Sequence, residues 1–356
     1  MEERIQSTYF ETSKELNTLY KKRKRTLFVQ RVMWSITGLH LVFMLVLLGI
    51  KYVPELQNTS LGFLDVFKAA PANPYASTYP IIGLIILLYP TTIIFTRAFQ
   101  KFKTTERKTI SQMVKTLFPQ VEFTQGAKAP VNEVVNSKLF AWIKEESPIY
   151  SYGQIRKKTN ETEINITDLG IVENNVANRF LGKLMHIPIL NMLSVMYQTV
   201  FKNIATNKLA DNTNNSFRGM FCWLSFKKKL NGHTVVLPKS NLAHFERWAS
   251  STFKEEQEIH LEDPRFKEKF IVFGTDQVEA RYVLSPSIME KVVALKEKFN
   301  RSISISFQNR QMYLAVENEN GIFSFPAGKL NSISVIQELA ADIETALAIS
   351  QERSFY

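Results

Sequence analysis

Two uninterrupted apolar runs set one part of the chain apart from the mixed pattern elsewhere. The first, Val32 to Ile50, carries no formal charge and at the rise of an α-helix is about 30 Å long, the hydrocarbon thickness of a bilayer. The second, Tyr79 to Thr96, is interrupted by Pro90, which a membrane helix tolerates because neighbours and Thr side chains satisfy the freed carbonyl. A buried core helix is the competing reading for each run, and the absence of charge argues against it. A cleaved signal peptide fits the first run poorly: it starts late, is too long, and is followed by "KYVPELQ" without a small-residue cleavage site. The pattern therefore predicts transmembrane helices over 32–53 and 79–100, joined by a short extracytoplasmic loop over 54–78. Ahead of them, residues 1–31 form a basic segment. In it Ile5, Tyr9 and Leu16 make a helical stripe with acids early and cations late, and the stripe is expected to pack on the chain's own soluble domain.

The pattern changes after the second span, over residues 101–356. "TTERKTISQMVKTLFPQV" reads as a helix ending at Pro119, with Ile110, Met113 and Leu117 as its apolar face. Strand-like pieces follow: "PIYSYGQIRKK" and "TEINITDLGIVE" flank a polar turn, while "FRGMFCWLSFKKK" and "GHTVVLP" flank "LNG", which reads as a hairpin connection. The two-residue period puts Phe217, Gly219, Phe221, Trp223 and Ser225 on one face and Cys222 on the other. "KFIVFGT" is a further strand, and Thr275 or Asp276 can cap a short helical turn after it. A longer helix then begins with Ser285 as cap and Pro286 in its first turn, or with Ser287 as cap and Glu290 completing a capping box. Its buried face is Ile288, Val292, Leu295 and Phe299. "ISISF", "MYLAV" and "IFSF" make a hairpin or meander ending at an edge, and a last helix starts at Ser334 and presents Ile336, Leu339, Ile343 and Leu347. The fold class is α+β: a two-helix transmembrane hairpin followed by a mixed, mainly antiparallel cytoplasmic domain.

One insertion stands apart. Residues 179–203 are apolar and basic at both ends, with Leu190, Leu193, Tyr197 and Phe201 on one stripe after Pro188. Core packing, oligomer contact and membrane-surface attachment are all open to it. Asn191, Ser194 and Gln198 make a third span unattractive.

Charge settles orientation. The 356 residues carry a net charge of +11, which suits either nucleic acid or an anionic membrane face. The cations, however, flank the spans: Lys21, Lys22, Arg23, Lys24 and Arg25 precede the first, and Arg97, Lys101, Lys103, Arg107 and Lys108 follow the second. Cytoplasmic flanks accumulate such residues, so both termini are expected in the cytoplasm. The lipid bilayer accounts for much of the basicity, and no nucleic-acid partner is expected.

Candidate chemistry is sparse. Cys222, the single cysteine, excludes an intramolecular disulfide and a cysteine-clustered metal site. No phosphate loop, metal-spaced His pair or nucleophile elbow is present, so no catalytic residue, metal or cofactor is assigned. Asp276, Glu279 and Arg281 could form an acid–base site, but capping plus a local ion pair accounts for all three.

"LEDPRFKEKFIVFGTDQVEARYVLSPSIMEKVVAL" followed by "ISISFQNRQMYLAV" resembles the signature of a bacterial family designated domain of unknown function thirty-one thirty-seven. The resemblance covers Leu261 to about Phe325, with Asp276, Glu279, Arg281, Ser285 and Pro286 as signature positions of structural character. It implies an inner-membrane protein with two spans and a C-terminal cytoplasmic domain, a LemA-like membrane protein as a partner, and no catalytic residues. The reading is a membrane-anchored, non-enzymatic scaffold or assembly factor that binds a protein partner or the lipid surface and can form a homo-oligomer. A membrane-tethered enzyme acting on a lipid or anionic substrate, and a homo-oligomeric ligand-gated pore, are the alternatives.

Overall fold

The computed structural model describes residues 1–52, 79–140, 143, 147–158, 163–172, 216–225, 229–239, 257–299, 301–325 and 330–350. They divide into two units: Met1–Asn17, Glu106–Phe180 and Thr213–Tyr356 in the first, Thr18–Thr105 and Leu181–Asn212 in the second. Helices α1 (Glu2–Tyr52) and α2 (Tyr79–Leu117) each lend one end to the first unit and the remainder to the second.

Alternating apolar strands build the first unit. They are β1 (Glu122–Thr124), β2 (Ile149–Lys158), β3 (Glu163–Ile171), β4 (Phe217–Ser225), β5 (His233–Pro238), β6 (Gln257–Glu258), β7 (Phe270–Gly274), β8 (Ile303–Gln308) and β9 (Gln311–Glu317). Among the described residues they form one sheet in the order β1-β2-β3-β4-β9-β8-β5-β7-β6, antiparallel at every pairing. β3 is buried from Ile164 to Ile171, because side chains pack on both of its faces. One face gathers Leu169, Ile171, Phe217, Phe221, Tyr313 and Ala315 against Val134 of the short helix α3 (Val131–Asn136) and the Leu139–Phe140 turn. Cys222 is buried on the opposite face.

Four helices complete the C-terminal part: α4 (Pro264–Lys269), α5 (Gln277–Val283), α6 (Pro286–Phe299) and α7 (Ser334–Ser350). The apolar stripes read from the sequence are buried at Ile288, Val292 and Leu295 on α6 and at Ile336, Leu339, Ile343 and Leu347 on α7, while the side chain of Phe299 lies outside the described ones. α7 packs on α6 and β3, and α4 packs on α6 and β7. The N-terminal stripe also packs on this unit: Leu16 is fully buried, the Tyr9 hydroxyl donates to Asn331 O at 3.1 Å, and Arg4 donates to Leu117 O at 3.5 Å.

Two expectations about connectivity are corrected. β4 and β5 do not form a hairpin across "LNG", because the β8–β9 hairpin lies between them: β9 pairs with β4 and β8 with β5. "IFSF" is no strand, because its backbone donors are taken by carboxylates, Phe323 N–H by Asp168 at 3.0 Å and Phe325 N–H by Glu106 at 3.3 Å. Of the two alternatives for this stretch, the hairpin is therefore the one formed, β8 with β9, and β9 is an interior strand with no meander beyond it.

In the second unit the buried positions of α1 recur with alternating steps of four and three, through Leu19, Arg23, Thr26, Gln30, Met33 and Thr37, the spacing of a helix–helix seam. On α2 the sequence Thr92, Phe95, Phe99, Phe102 repeats it, with Phe99 half-buried. Lys22 Nζ donates to Thr105 Oγ1 at 2.7 Å. The buried Thr hydroxyls are satisfied within their own helices, Thr26 on Lys22 O and Thr37 on Met33 O. Past Thr37 large apolar side chains become exposed, Leu39 at 73% among them, while His40, Phe43 and Met44 stay half-buried, and Ile86 before Thr92 is 66% exposed. Over Glu2–Val46, α1 is the one helix among the described residues that is long and apolar enough to cross a membrane. Pro90 lies inside α2 without ending it.

Candidate functional site

The signature segment is a junction built around the "LNG" loop. Asp276 caps α5, its Oδ1 accepting from Val278 N at 2.8 Å and Glu279 N at 3.1 Å, which satisfies donors that the first helical turn leaves free. Glu279 is thereby aimed at the loop after β4, where its two oxygens accept from Asn231 N at 3.0 Å and Gly232 N at 2.5 Å. Thr275 exchanges two bonds with His233, its hydroxyl accepting from His233 N at 2.9 Å and its N–H donating to His233 O at 3.0 Å. A side chain at position 232 would stand 2.8 Å from Thr275 Oγ1 and 2.9 Å from Glu279 Oε2. The loop is therefore tailored to this carboxylate. Leu230 N–H closes its other end on Asn309 O in the β8–β9 turn, where Asn309 has a φ of +56°.

Arg281 points elsewhere. It donates to His260 O at 3.3 Å and pairs with Glu262 at 4.0 Å, so the ion pair of this segment joins α5 to the chain ahead of α4. Ser285 stands where a cap belongs, its carbonyl accepting from Met289 N at 3.0 Å and Pro286 opening α6, yet its hydroxyl is buried without a hydrogen-bond partner. Ser287 lies inside the helix. At α7 the hydroxyl that accepts from the first helical residue belongs to Ser332, which takes Ser334 N–H at 3.3 Å.

The strongest electrostatic feature was invisible to sequence reading. Asp168, fully buried on β3, pairs with Arg218 of β4 through a two-pronged contact, 2.6 Å from Nη1 to Oδ1 and 3.0 Å from Nη2 to Oδ2. The guanidinium also stacks 3.6 Å from the ring centre of Tyr152. Burial pushes the Asp168 carboxyl up to about 6, against Arg218 and the backbone donors of Phe323 and Ile322, which pull it down. Gly321 turns over this pair with φ +73°, where a Cβ would lie 2.3 Å from Arg218 Nη2. Only glycine fits both the conformation and the space. Asp168 and Arg218 are 50 residues apart, and no local pattern marked either.

Other chemistry is muted. The Cys222 thiol is pushed up to about 12 by burial, which removes its nucleophilic form at neutral pH. Tyr313 donates to Glu133 at 3.1 Å, and burial followed by that carboxylate raises its hydroxyl. No cluster of three or more His, Cys, Asp or Glu that could hold a metal occurs among the described residues. A groove of about 340 Å³ runs between β7 and α4, floored by Ile259, Leu261, Phe266 and Phe270 and edged by Lys239 and Lys267.

Of the basic block, Lys21, Lys24 and Arg25 are exposed, Lys22 holds Thr105, and Arg23 is buried on the α1 stripe. Leu190, Leu193, Tyr197 and Phe201 lie outside the described residues.

Residues 215–352 match the family model described as Protein of unknown function (DUF3137), a domain that contains the whole junction and the Arg218 half of the buried pair. No curated protein matches the chain. Among solved structures, the crystal structure of the mycobacterial trehalose monomycolate transport factor A, TtfA, aligns with 66% of this chain and 95% of its own at 6% identity and a TM-score of 0.33.

Proposed function

We propose that the chain is a membrane-anchored, non-enzymatic scaffold. In this reading α1 and α2 form an antiparallel hairpin that crosses the inner membrane of a bacterium, both termini are cytoplasmic, and the α+β domain binds a protein partner or the lipid surface. The observation that carries it is the Lys22–Thr105 hydrogen bond. Taken as a register mark for antiparallel helices, it puts Arg31 about 13 Å and Arg97 about 12 Å farther along at helical rise. The last cation before one apolar run is thus level with the first cation after the other, and Val32–Ile50 and Tyr79–Thr96 occupy one slab. The exposed apolar side chains past Thr37 and before Thr92 support the same slab, since Leu39, Val42, Ile82 and Ile86 need an apolar phase. The cations gathered on one side of it favour a cytoplasmic location for that side. The domain reads as a binding module because its signature carboxylates are spent on capping and loop binding.

Reporter fusions test the topology. A cytoplasm-dependent reporter after Tyr356 is expected to be active, a periplasm-dependent one silent, and the chain should stay in the pellet after carbonate extraction. Release by carbonate or a periplasmic signal overturns the anchor. Purification of the full chain in mild detergent is expected to bring down a stoichiometric membrane protein; recovery with a bound small molecule and turnover of it would replace the scaffold with an enzyme.

A further inference from the structure

Charge on the two helices is segregated to an extreme. Residues 18–52 and 79–105 contain no Asp or Glu, whereas Lys21, Lys24, Arg25 and Arg31 on α1 and Arg97 and Lys101 on α2 are all exposed. With Lys22 beside Thr105, these six side chains occupy a band about 15 Å deep that begins at Arg31 and Arg97 and extends away from the apolar runs. We propose that this band is a binding site for anionic glycerophospholipid headgroups, an inference that rests on the hairpin reading above.

Three observations favour a headgroup. The band is firm, because Lys22 is fixed on Thr105 and the Lys103 ammonium lies 5.9 Å from the centres of both the Phe99 and Phe102 rings. Exposed Phe28 stands among the cations, and Val32 and Trp34 just beyond them, at 64%, 39% and 47% exposure. An interfacial region takes up such side chains, while a nucleic-acid backbone gives them no apolar phase. Finally, each cation near an anionic leaflet multiplies affinity about fivefold, and no acid in these segments opposes the sum.

The test uses the full chain reconstituted in vesicles of equal phosphatidylcholine and phosphatidylglycerol, with retained lipid identified by native mass spectrometry. Phosphatidylglycerol should be retained at least about tenfold over phosphatidylcholine. The combined Lys21→Gln, Lys24→Gln, Arg25→Gln and Lys101→Gln variant should lose the preference, the same positions as Arg (Lys→Arg at 21, 24 and 101) should keep it, and Lys267→Gln, on α4, should leave it intact. Equal retention of the two lipids by the unaltered chain, an undiminished preference in the Gln variant, or displacement of phosphatidylglycerol by a DNA oligonucleotide overturns the proposal. Carbonate extraction of the same preparations separates the two ideas. Loss of preference in a carbonate-resistant native chain sinks the band alone, while a native chain that washes free sinks the hairpin with it.

Discussion

Asp168 has the most consequential environment of any single residue in the domain. Removing its carboxylate leaves the largely buried Arg218 beside Tyr152 with its charge uncompensated, so Asp168→Leu is expected to cost about 3–5 kcal/mol, and adding Arg218→Met should return much of it. Urea midpoints of the two variants check this. The pH dependence has a definite sign. The folded carboxyl titrates at about 6 and an ordinary one at 3.8, so between those values the folded chain holds the proton that the unfolded chain has released. The contribution of Asp168 is therefore most favourable below about pH 4, declines as the pH rises to 6, and is flat above, by about 3 kcal/mol in all. Relative to Asp168→Asn, which cannot titrate, the unaltered chain should lose urea resistance across pH 4 to 6; parallel curves would show that burial does not govern this carboxyl. Glu279 shows a different economy at the same scale, one side chain closing a loop 47 residues away in sequence.

Helix elements were legible because their period is local. Ile288, Val292 and Leu295, or Ile336, Leu339, Ile343 and Leu347, announce a buried stripe within a few turns, and the faces of β4 followed from a period of two. Strand partners were not legible. "LNG" has hairpin composition, yet its backbone is claimed by Glu279 and Asn309, and the neighbour of β4 arrives some 90 residues later in β9. For the same reason neither Asp168 nor Gly321 could be flagged in advance, since what makes them special is a meeting of three distant segments. The helix pair makes its own prediction at this scale. In a Cys222→Ser background, Lys22→Cys together with Thr105→Cys should cross-link rapidly with a short bismaleimide, and Lys22→Cys with Ile94→Cys should not. Equal yields would discard the register from which the slab and the lipid band are drawn.

For the molecule as a whole, the first unit is assembled from three stretches of chain, and its N-terminal stretch is a working part of it. Leu16 is fully buried there, with Thr8 and Thr12 beside it on the same stripe. Burying a Leu side chain contributes about 1.5–3 kcal/mol, so a fragment beginning at Glu106 should unfold at lower urea than the same fragment mixed with a peptide of residues 1–17. An unchanged midpoint would mean that the terminal helix merely rests on the surface. The sheet has a consequence of its own. Its described edges are β1, three residues long, and β6, two residues long, while the long strands are all interior. In the membrane-anchored reading proposed above, copies tethered side by side on one leaflet would be concentrated far beyond what they would meet in bulk solution, and a long open strand would there invite runaway polymerisation. Blunt margins deny a neighbour the template, so crowding can rise without the domains fusing.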